Sequence, residues 1–446
     1  MDPQRISDTR ATSVNPFEGS DRLCFGTVQY NILLEKILWE SLRRYLYKIP
    51  SSYEKFHKEC YKALLRYLFT EKSFAAGWHQ QSTLTRGGLR CSAEGPETHV
   101  PTGICNSPFV LDFNYPPGIE KLEEELHHKC ISYEVPLQGG EILASLIKIR
   151  DHIINPDFIA KNLQYSAVSL NDKTVEFRPK EPSVATKKGK GKEDTMVVLI
   201  RGPLKVELRK PVYQKLVNDY RGDKVGGNIL KDIMKVATRY QLISDVDLDT
   251  YHWAVRPTAV AAFNEKIRAI TGNPNDGIVH ECFASPLNHS SLVSSYSSPF
   301  FDSDVYFGSK GNIFHYLHQV TGLVMANPPF LEEIQDRFVD CFLYRLGEAD
   351  RMGQVFGGII IYPKWDDARG NIALKGSPYL ITRAIPSSIA DKERREAIFG
   401  FMSYNTGIQF SMGQHWQEAI DKVEFFLLLN YQAQRIYGRP EDFFVF

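Results

Sequence analysis

The chain has 446 residues, of which 53 are Lys or Arg and 53 are Asp or Glu, so its formal net charge is +0. At roughly 150 residues per domain the length supports two or three units with a large buried core, and the charge balance excludes a polybasic protein held on nucleic acid or lipid by bulk electrostatics. Hydrophobic residues at 43% and charged residues at 24% exclude wholesale disorder, and no apolar run approaches the roughly 20 residues of a transmembrane helix.

The opening MDPQRISDTRATSVNPFEGSDR has no apolar core for a signal peptide, which predicts a disordered segment over 1–22 of a soluble, intracellular protein. From about 25 to 165 the periodicity is helical: Ile32, Leu33, Ile37, Leu38 and Leu42 share one face, and Tyr61, Leu64, Leu65 and Leu68 another. The seven cysteines (Cys24, Cys60, Cys91, Cys105, Cys130, Cys282, Cys341) are odd in number and form no CxxC, which predicts free thiols in a reducing compartment. His127, His128 and Cys130 lack a second ligand pair at zinc spacing, so a solvated helix end is expected there and no metal site.

Between 165 and 210, AVSLNDKTVEF and TMVVLIRGPLKVEL alternate or run apolar around turn residues and predict short strands or hairpins. The lysine-rich VATKKGKGKEDT between them reads as a solvated loop, near 184–195. Helical signals return over 211–272 in YQKLVNDY, GGNILKDIMKVATRYQLI and RPTAVAAFNEKIRAIT, the last with Pro257 placed for a first turn. The expected organisation is a mainly helical domain over 23–272 carrying a small β insertion, followed by an α/β core over 273–446.

In that core GIVHECF, GLVMA, VFGGIIIY, YLITRA, IQFSM and VEFFLLL have the length of strands, and most are too uniformly apolar to have one wet face. PFLEEIQDRFVDCFLYRL places Ile334, Phe338, Phe342 and Leu346 on one helix face between two of them. Strand, helix and strand in succession predict a crossover and a mostly parallel sheet, with ligands at the strands' carboxyl ends.

Two of those ends carry chemistry. Ala326-Asn327-Pro328-Pro329-Phe330 lies directly after GLVM and directly before the helix. Such a tetrad suits methylation of an exocyclic or amide nitrogen, whose delocalised lone pair is a poor nucleophile until acceptors bind its hydrogens and favour tetrahedral geometry. The Asn327 oxygen is one acceptor, and the Pro328 carbonyl, held extended by Pro329, is expected to be the second. Phe330 offers a face on which a planar base stacks. Asn155-Pro156-Asp157-Phe158 has a similar outline, but it follows a helical run and lacks the second proline, so it reads as a helix-terminating turn.

The other end is Glu281-Cys282-Phe283-Ala284-Ser285-Pro286-Leu287-Asn288, where an acid followed by small residues lets a cofactor approach the backbone. Its place one strand before the tetrad is that of an S-adenosylmethionine loop in a class I methyltransferase. Phe283, Ala284, Ser285 and Pro286 are expected to line the donor. The acid for its polar groups is Glu281 or, from the following Phe301-Asp302-Ser303-Asp304, Asp304 in preference to Asp302.

In order, ECFASPLN, DSDVYFGSKG, ANPPF and a strand ending Tyr362-Pro363-Lys364-Trp365 resemble the catalytic region of the phosphorylated-CTD-interacting-factor family over about residues 277–430. The resemblance implies a class I, Rossmann-like core behind an N-terminal helical domain, and S-adenosylmethionine-dependent N6 methylation of the 2′-O-methyladenosine beside the mRNA cap. It implies as partner the 5′ end of capped, single-stranded RNA, nuclear placement, and no membrane. Lys364 and Trp365 would then touch the nucleotide. Trp78 and Arg86, in WHQQSTLTRGG, are the candidates for the cap, as an aromatic face for a cationic ring and a base for its phosphates. Trp39 lies in a helical pattern and the next tryptophan is Trp78, so the family's WW domain is not expected, and with it recruitment by the transcription machinery is in question. Other readings are an N6-adenine methyltransferase for internal RNA or DNA, one for protein glutamine, and a catalytically silent RNA-binding or transcription-associated factor.

Overall fold

A computed structural model describes residues 32–68, 116–158, 173–179, 195–222, 229–244, 253–388, 399, 401–403 and 423–445, except for 52, 156, 202 and 203. Helices α1 (Ile32–Leu46) and α2 (Glu54–Leu68) bury the faces that the apolar spacing marks out. They pack with α3 (Pro116–Ser132) and α4 (Gly139–Ile153). Helix α4 stops before Asn155, whose side-chain oxygen accepts the Asp157 N–H at 2.9 Å, so NPDF is a terminating turn as its sequence suggests. Next comes an antiparallel meander of β1 (Lys173–Pro179), β2 (Thr195–Arg201) and β3 (Leu204–Arg209). Helices α5 (Lys210–Asp219) and α6 (Ile229–Ser244) follow. After strand β4 (Trp253–Val255), α7 (Pro257–Thr271) begins on Pro257 and ends on Gly272, whose φ of 69° needs no β-carbon.

The remaining elements build one mixed sheet and its cover. They are β5 (Ile278–Glu281), β6 (Ser295–Tyr296), α8 (Phe301–Asp304), α9 (Ile313–Tyr316), β7 (Gly322–Ala326), α10 (Glu332–Arg351), β8 (Phe356–Pro363), α11 (Arg369–Lys375), β9 (Leu380–Ala384), β10 (Phe401–Ser403), β11 (Val423–Leu429) and α12 (Tyr431–Tyr437). The spatial order is β6-β5-β7-β8-β11-β9, and β10 pairs with β4 outside it. Strands β6, β5, β7 and β8 are mutually parallel. Strand β11 runs antiparallel to both β8 and β9, so the sheet is mostly parallel, as expected, with one reversed strand that VEFFLLL gives no sign of.

The uniform apolarity of the strands follows from cover on both faces. Leu323, Met325, Ile359, Ile361, Phe425 and Leu427 point into a layer with Val260, Phe263 and Ile267 of α7. Their neighbours Val324, Ala326, Ile360, Phe426 and Leu428 point the other way, onto Phe338, Phe342 and Leu346 of α10. The helices α1 to α6 have a separate core that also takes in Leu287, Phe300, Tyr306, Phe307 and Ile334. The helical part therefore packs on the segments that leave β5, β6 and β7 at their carboxyl ends. Among the described residues no helix is long and apolar enough to cross a membrane, and no three His, Cys, Asp or Glu side chains are grouped to hold a metal.

Candidate active site

From β5 the chain first goes outward to β6, then returns across β5 to β7, so the strand order reverses between β5 and β7. Crevices at such reversals, outside the carboxyl ends, are where open α/β sheets bind ligands. Glu281 pairs with Met325 in register, Ala326 pairs with Ile360, and the Cys282 N–H donates to the Met325 carbonyl at 2.8 Å. The loops ECFASPLN, NPPF and YPKW thus leave three adjacent strands side by side.

The first loop is braced by its own polar groups. The Asn288 side-chain oxygen accepts both the Ser285 N–H at 2.7 Å and the Ser285 hydroxyl at 2.8 Å, and the Ala284 N–H donates to the Ser297 carbonyl at 2.9 Å. The backbone donors of Ala284 and Ser285, expected to face a ligand, are therefore used within the protein. Phe283 is half-buried, edge-on to Phe338 at 4.9 Å between ring centres. A second brace comes from α5. Lys215 donates to the Pro286 carbonyl at 3.2 Å and to Asp219 at 2.7 Å, and the His289 ring lies 2.9 Å from the same Asp219 oxygen. Burial pushes the Asp219 carboxyl up, but the hydrogen bonds from His289 and Lys215 outweigh it and hold the group at about 2. Neither Lys215 nor Asp219 stands out in the sequence, because the contacts bridge some seventy positions.

Glu281 is buried at the end of β5, with one carboxylate oxygen accepting the Ser290 N–H at 2.8 Å. Burial lifts it to about 7 against the opposing pull of that N–H and of Lys215. Asp304, preferred in the sequence over Asp302 and left as an alternative to Glu281, is 0% exposed and committed inward: the Tyr240 hydroxyl donates to it at 2.7 Å and the Ser303 hydroxyl at 2.7 Å. Burial raises it to about 6, with Tyr240, Ser298, Ser303 and Arg239 opposing. It anchors α8 to α6, whereas Glu281 ends β5 itself.

Asn327 is half-buried immediately after β7, Pro328 is buried, and the half-buried Phe330 packs against the α7 layer. The Pro328 carbonyl accepts the side-chain amide of Gln335 at 2.9 Å, a partner that the sequence did not suggest. At the end of β8, Lys364 is exposed and Trp365 half-buried, edge-on to Tyr362 at 6.2 Å. Trp78 and Arg86 lie outside the described residues.

The family model described as the phosphorylated CTD interacting factor 1 WW domain matches residues 211–394. That span runs from α5 to β9 and contains all three strand-end loops. The chain is 42% identical over 89 residues to an mRNA (2′-O-methyladenosine-N(6)-)-methyltransferase of Homo sapiens, and 38% identical over 89 residues to the protein of that name from Mus musculus. Over this span the chain is similar to the phosphorylated-CTD-interacting-factor family. Each alignment spans 20% of this chain and 12% of its relative, so the matched segment is a small part of those longer proteins. The family description names a WW domain, contrary to the expectation drawn from the tryptophan spacing. The described residues of the matched span form helices, β4, and five strands of the six-stranded sheet.

Proposed function

We propose that the protein is an S-adenosylmethionine-dependent methyltransferase acting on N6 of the adenosine next to the cap of mRNA. The observation that carries this reading is the placement of NPPF and ECFASP on adjacent parallel strand ends at the reversal point, joined by the Cys282 N–H to Met325 carbonyl bond of 2.8 Å. The strand order and the reversed β11 support a class I, Rossmann-like core.

The strand ends suit the donor. Glu281, buried and titrating at about 7, can accept from hydroxyl or ammonium groups when ionised and donate to a hydroxyl oxygen when protonated, and Ala284 and Ser285 present little side-chain bulk beside it. When bound, S-adenosylmethionine supplies an electrophilic methyl group. The protein's part is to prepare the nitrogen. Asn327 accepts one N6 hydrogen through its side-chain oxygen. The Pro328 carbonyl accepts the other on the lone pair that Gln335 leaves open, since a carbonyl oxygen has two. Binding both hydrogens draws the nitrogen toward tetrahedral geometry and frees its lone pair. Phe330 stacks the adenine, and Lys364 and Trp365 meet the nucleotide from the end of β8. No general base is required, because the nitrogen becomes acidic as it acquires positive charge. The stacked amine of a duplex is out of reach, so an RNA 5′ end is the fitting substrate.

Trp78 and Arg86 are proposed for the cap, and the family's description as a factor that interacts with the polymerase tail supports nuclear placement. The test is methyl transfer to matched RNAs, capped or uncapped and beginning with A or G, followed by nucleoside analysis. N6-methylated 2′-O-methyladenosine from the capped A-start RNA alone is expected. Equal transfer to uncapped RNA or to duplex DNA would overturn the cap assignment.

A further inference from the structure

Gln335 lies in the first turn of α10 and is 0% exposed. Its amide nitrogen donates to the carbonyls of two consecutive residues of the tetrad, Pro328 at 2.9 Å and Pro329 at 3.3 Å. Its own oxygen is buried and has no hydrogen-bond partner among the described residues. That combination is unfavourable for stability, since an unsatisfied buried acceptor costs more than a modest net hydrogen bond returns. An apolar side chain of similar length would remove that unsatisfied oxygen but also the two bonds to the carbonyls, so the net change in stability should be small.

The next residue works on the neighbouring loop. Asp336 accepts the Tyr362 hydroxyl at 2.9 Å and the Gly370 N–H at 2.8 Å, and lies 3.4 Å from the Arg369 guanidinium. A β-carbon at Gly370 would come within 2.7 Å of the Asp336 carboxylate and 2.8 Å of the Tyr362 hydroxyl, so a larger residue there would have to displace these side chains. The first turn of α10 therefore grips the loop after β7 with one side chain and the end of β8 with the next.

We infer that Gln335 is a positioning residue, which turns the Pro328 carbonyl to the angle at which its remaining lone pair faces the substrate nitrogen. The inference rests on the proposed methyl transfer but deepens it by naming what holds the second acceptor. The two prolines explain why a side chain is needed. With no N–H at 328 or 329, the segment is open to fixing from outside mainly through its carbonyls. Among the described residues the Leu331 N–H holds the Pro329 carbonyl at 2.7 Å and the Gln335 amide holds that of Pro328 at 2.9 Å.

The experiment compares wild type, Gln335→Met and Gln335→Glu in the full chain, reading melting temperature, S-adenosylmethionine affinity, kcat and KM on capped RNA, and amide hydrogen exchange at Phe330 and Leu331. In Gln335→Met the melting temperature should change little, donor affinity and KM should stay within about twofold, kcat should fall by ten- to a hundredfold, and exchange at Phe330 and Leu331 should quicken. In Gln335→Glu a protonated carboxyl can donate to Pro328 and an ionised one cannot, so its kcat relative to wild type should rise as pH falls. A Gln335→Met protein with wild-type kcat and wild-type exchange would overturn the inference. If wild type transfers no methyl group to any RNA, the proposed function fails by itself, and the exchange rates still decide whether Gln335 holds the loop.

Discussion

The loops after β5 and β7 stand side by side but are held in different ways. The loop after β5 closes on itself through Asn288 and Ser285 and is tied to α5 by Lys215 and Asp219. The loop after β7 contains two prolines and takes its outside support from Gln335. A loop with several braces can lose one and keep its shape. A loop with few must be tested through the orientation of single atoms, and this difference predicts that changes at β5 act on donor affinity while changes at β7 act on the chemical step.

The largest effect is expected at Asn327. Asn327→Ala should cut methyl transfer about 100- to 1000-fold with melting temperature and donor affinity unchanged, since one preorganised acceptor is lost where charge develops. Near-normal turnover would remove the tetrad from the mechanism. Next is Phe330. Phe330→Leu should weaken transfer by roughly tenfold, from the roughly 1–3 kcal/mol of a base–aromatic stack, while Phe330→Tyr or Phe330→Trp should retain part of it. Equal losses in all three variants would mean that the ring serves the α7 layer and not the adenine.

On the β5 side, Asn288→Ala leaves the buried Ser285 N–H without its acceptor. With Lys215 still in place, donor affinity measured by calorimetry should fall by no more than about tenfold, and kcat at saturating donor should change little. A fall in kcat instead would break the proposed division between the two loops. The smallest effect is a pH dependence. Glu281 titrates at about 7 in the fold against an ordinary 4.5, so its contribution to stability is full below 4.5 and is lost as pH rises through about 7. Asp219, at about 2 against 3.8, runs the other way, its contribution present above 3.8 and lost as pH falls through about 2. Between pH 5 and 7 Glu281 operates and Asp219 does not; Asp304 at about 6 adds to the decline, and His280, held at about 4 by burial, opposes it. Glu281→Gln should therefore flatten the decline in melting temperature over that range by on the order of a degree or two, with Asp304 maintaining the rest. Identical slopes would show that Glu281 keeps its ordinary acidity.

The sheet was largely legible because burial on both faces leaves unbroken apolar runs such as GGIIIY, and because Pro257 and the Gly272 cap punctuate α7. Direction was not legible: nothing in VEFFLLL distinguishes an antiparallel strand from a parallel one, and the two-residue β6 has no pattern at all. In the site, Asn327 and Glu281 announce themselves by standing at the ends of such runs. Gln335 does not, since a glutamine in the first turn of a helix looks solvated until the fold closes over it. Asp304 is the opposite case. It has the residue type of a ligand-binding acid, but its partners, Tyr240 and Ser303, direct it into the protein interior.

Strand β11 has a consequence for biosynthesis. It occupies the slot between β8 and β9, yet it is translated after both. Until residue 429 has emerged from the ribosome, β8 and β9 cannot be bridged, β9 lacks its strand partner and the apolar β8 has an unpaired edge. The nascent chain must therefore carry an unfinished sheet for the time it takes to synthesise residues 385–429, a window in which chaperones have a clear target. Premature termination before Val423 should yield an aggregating or rapidly degraded product even though the tetrad and the donor loop are already complete.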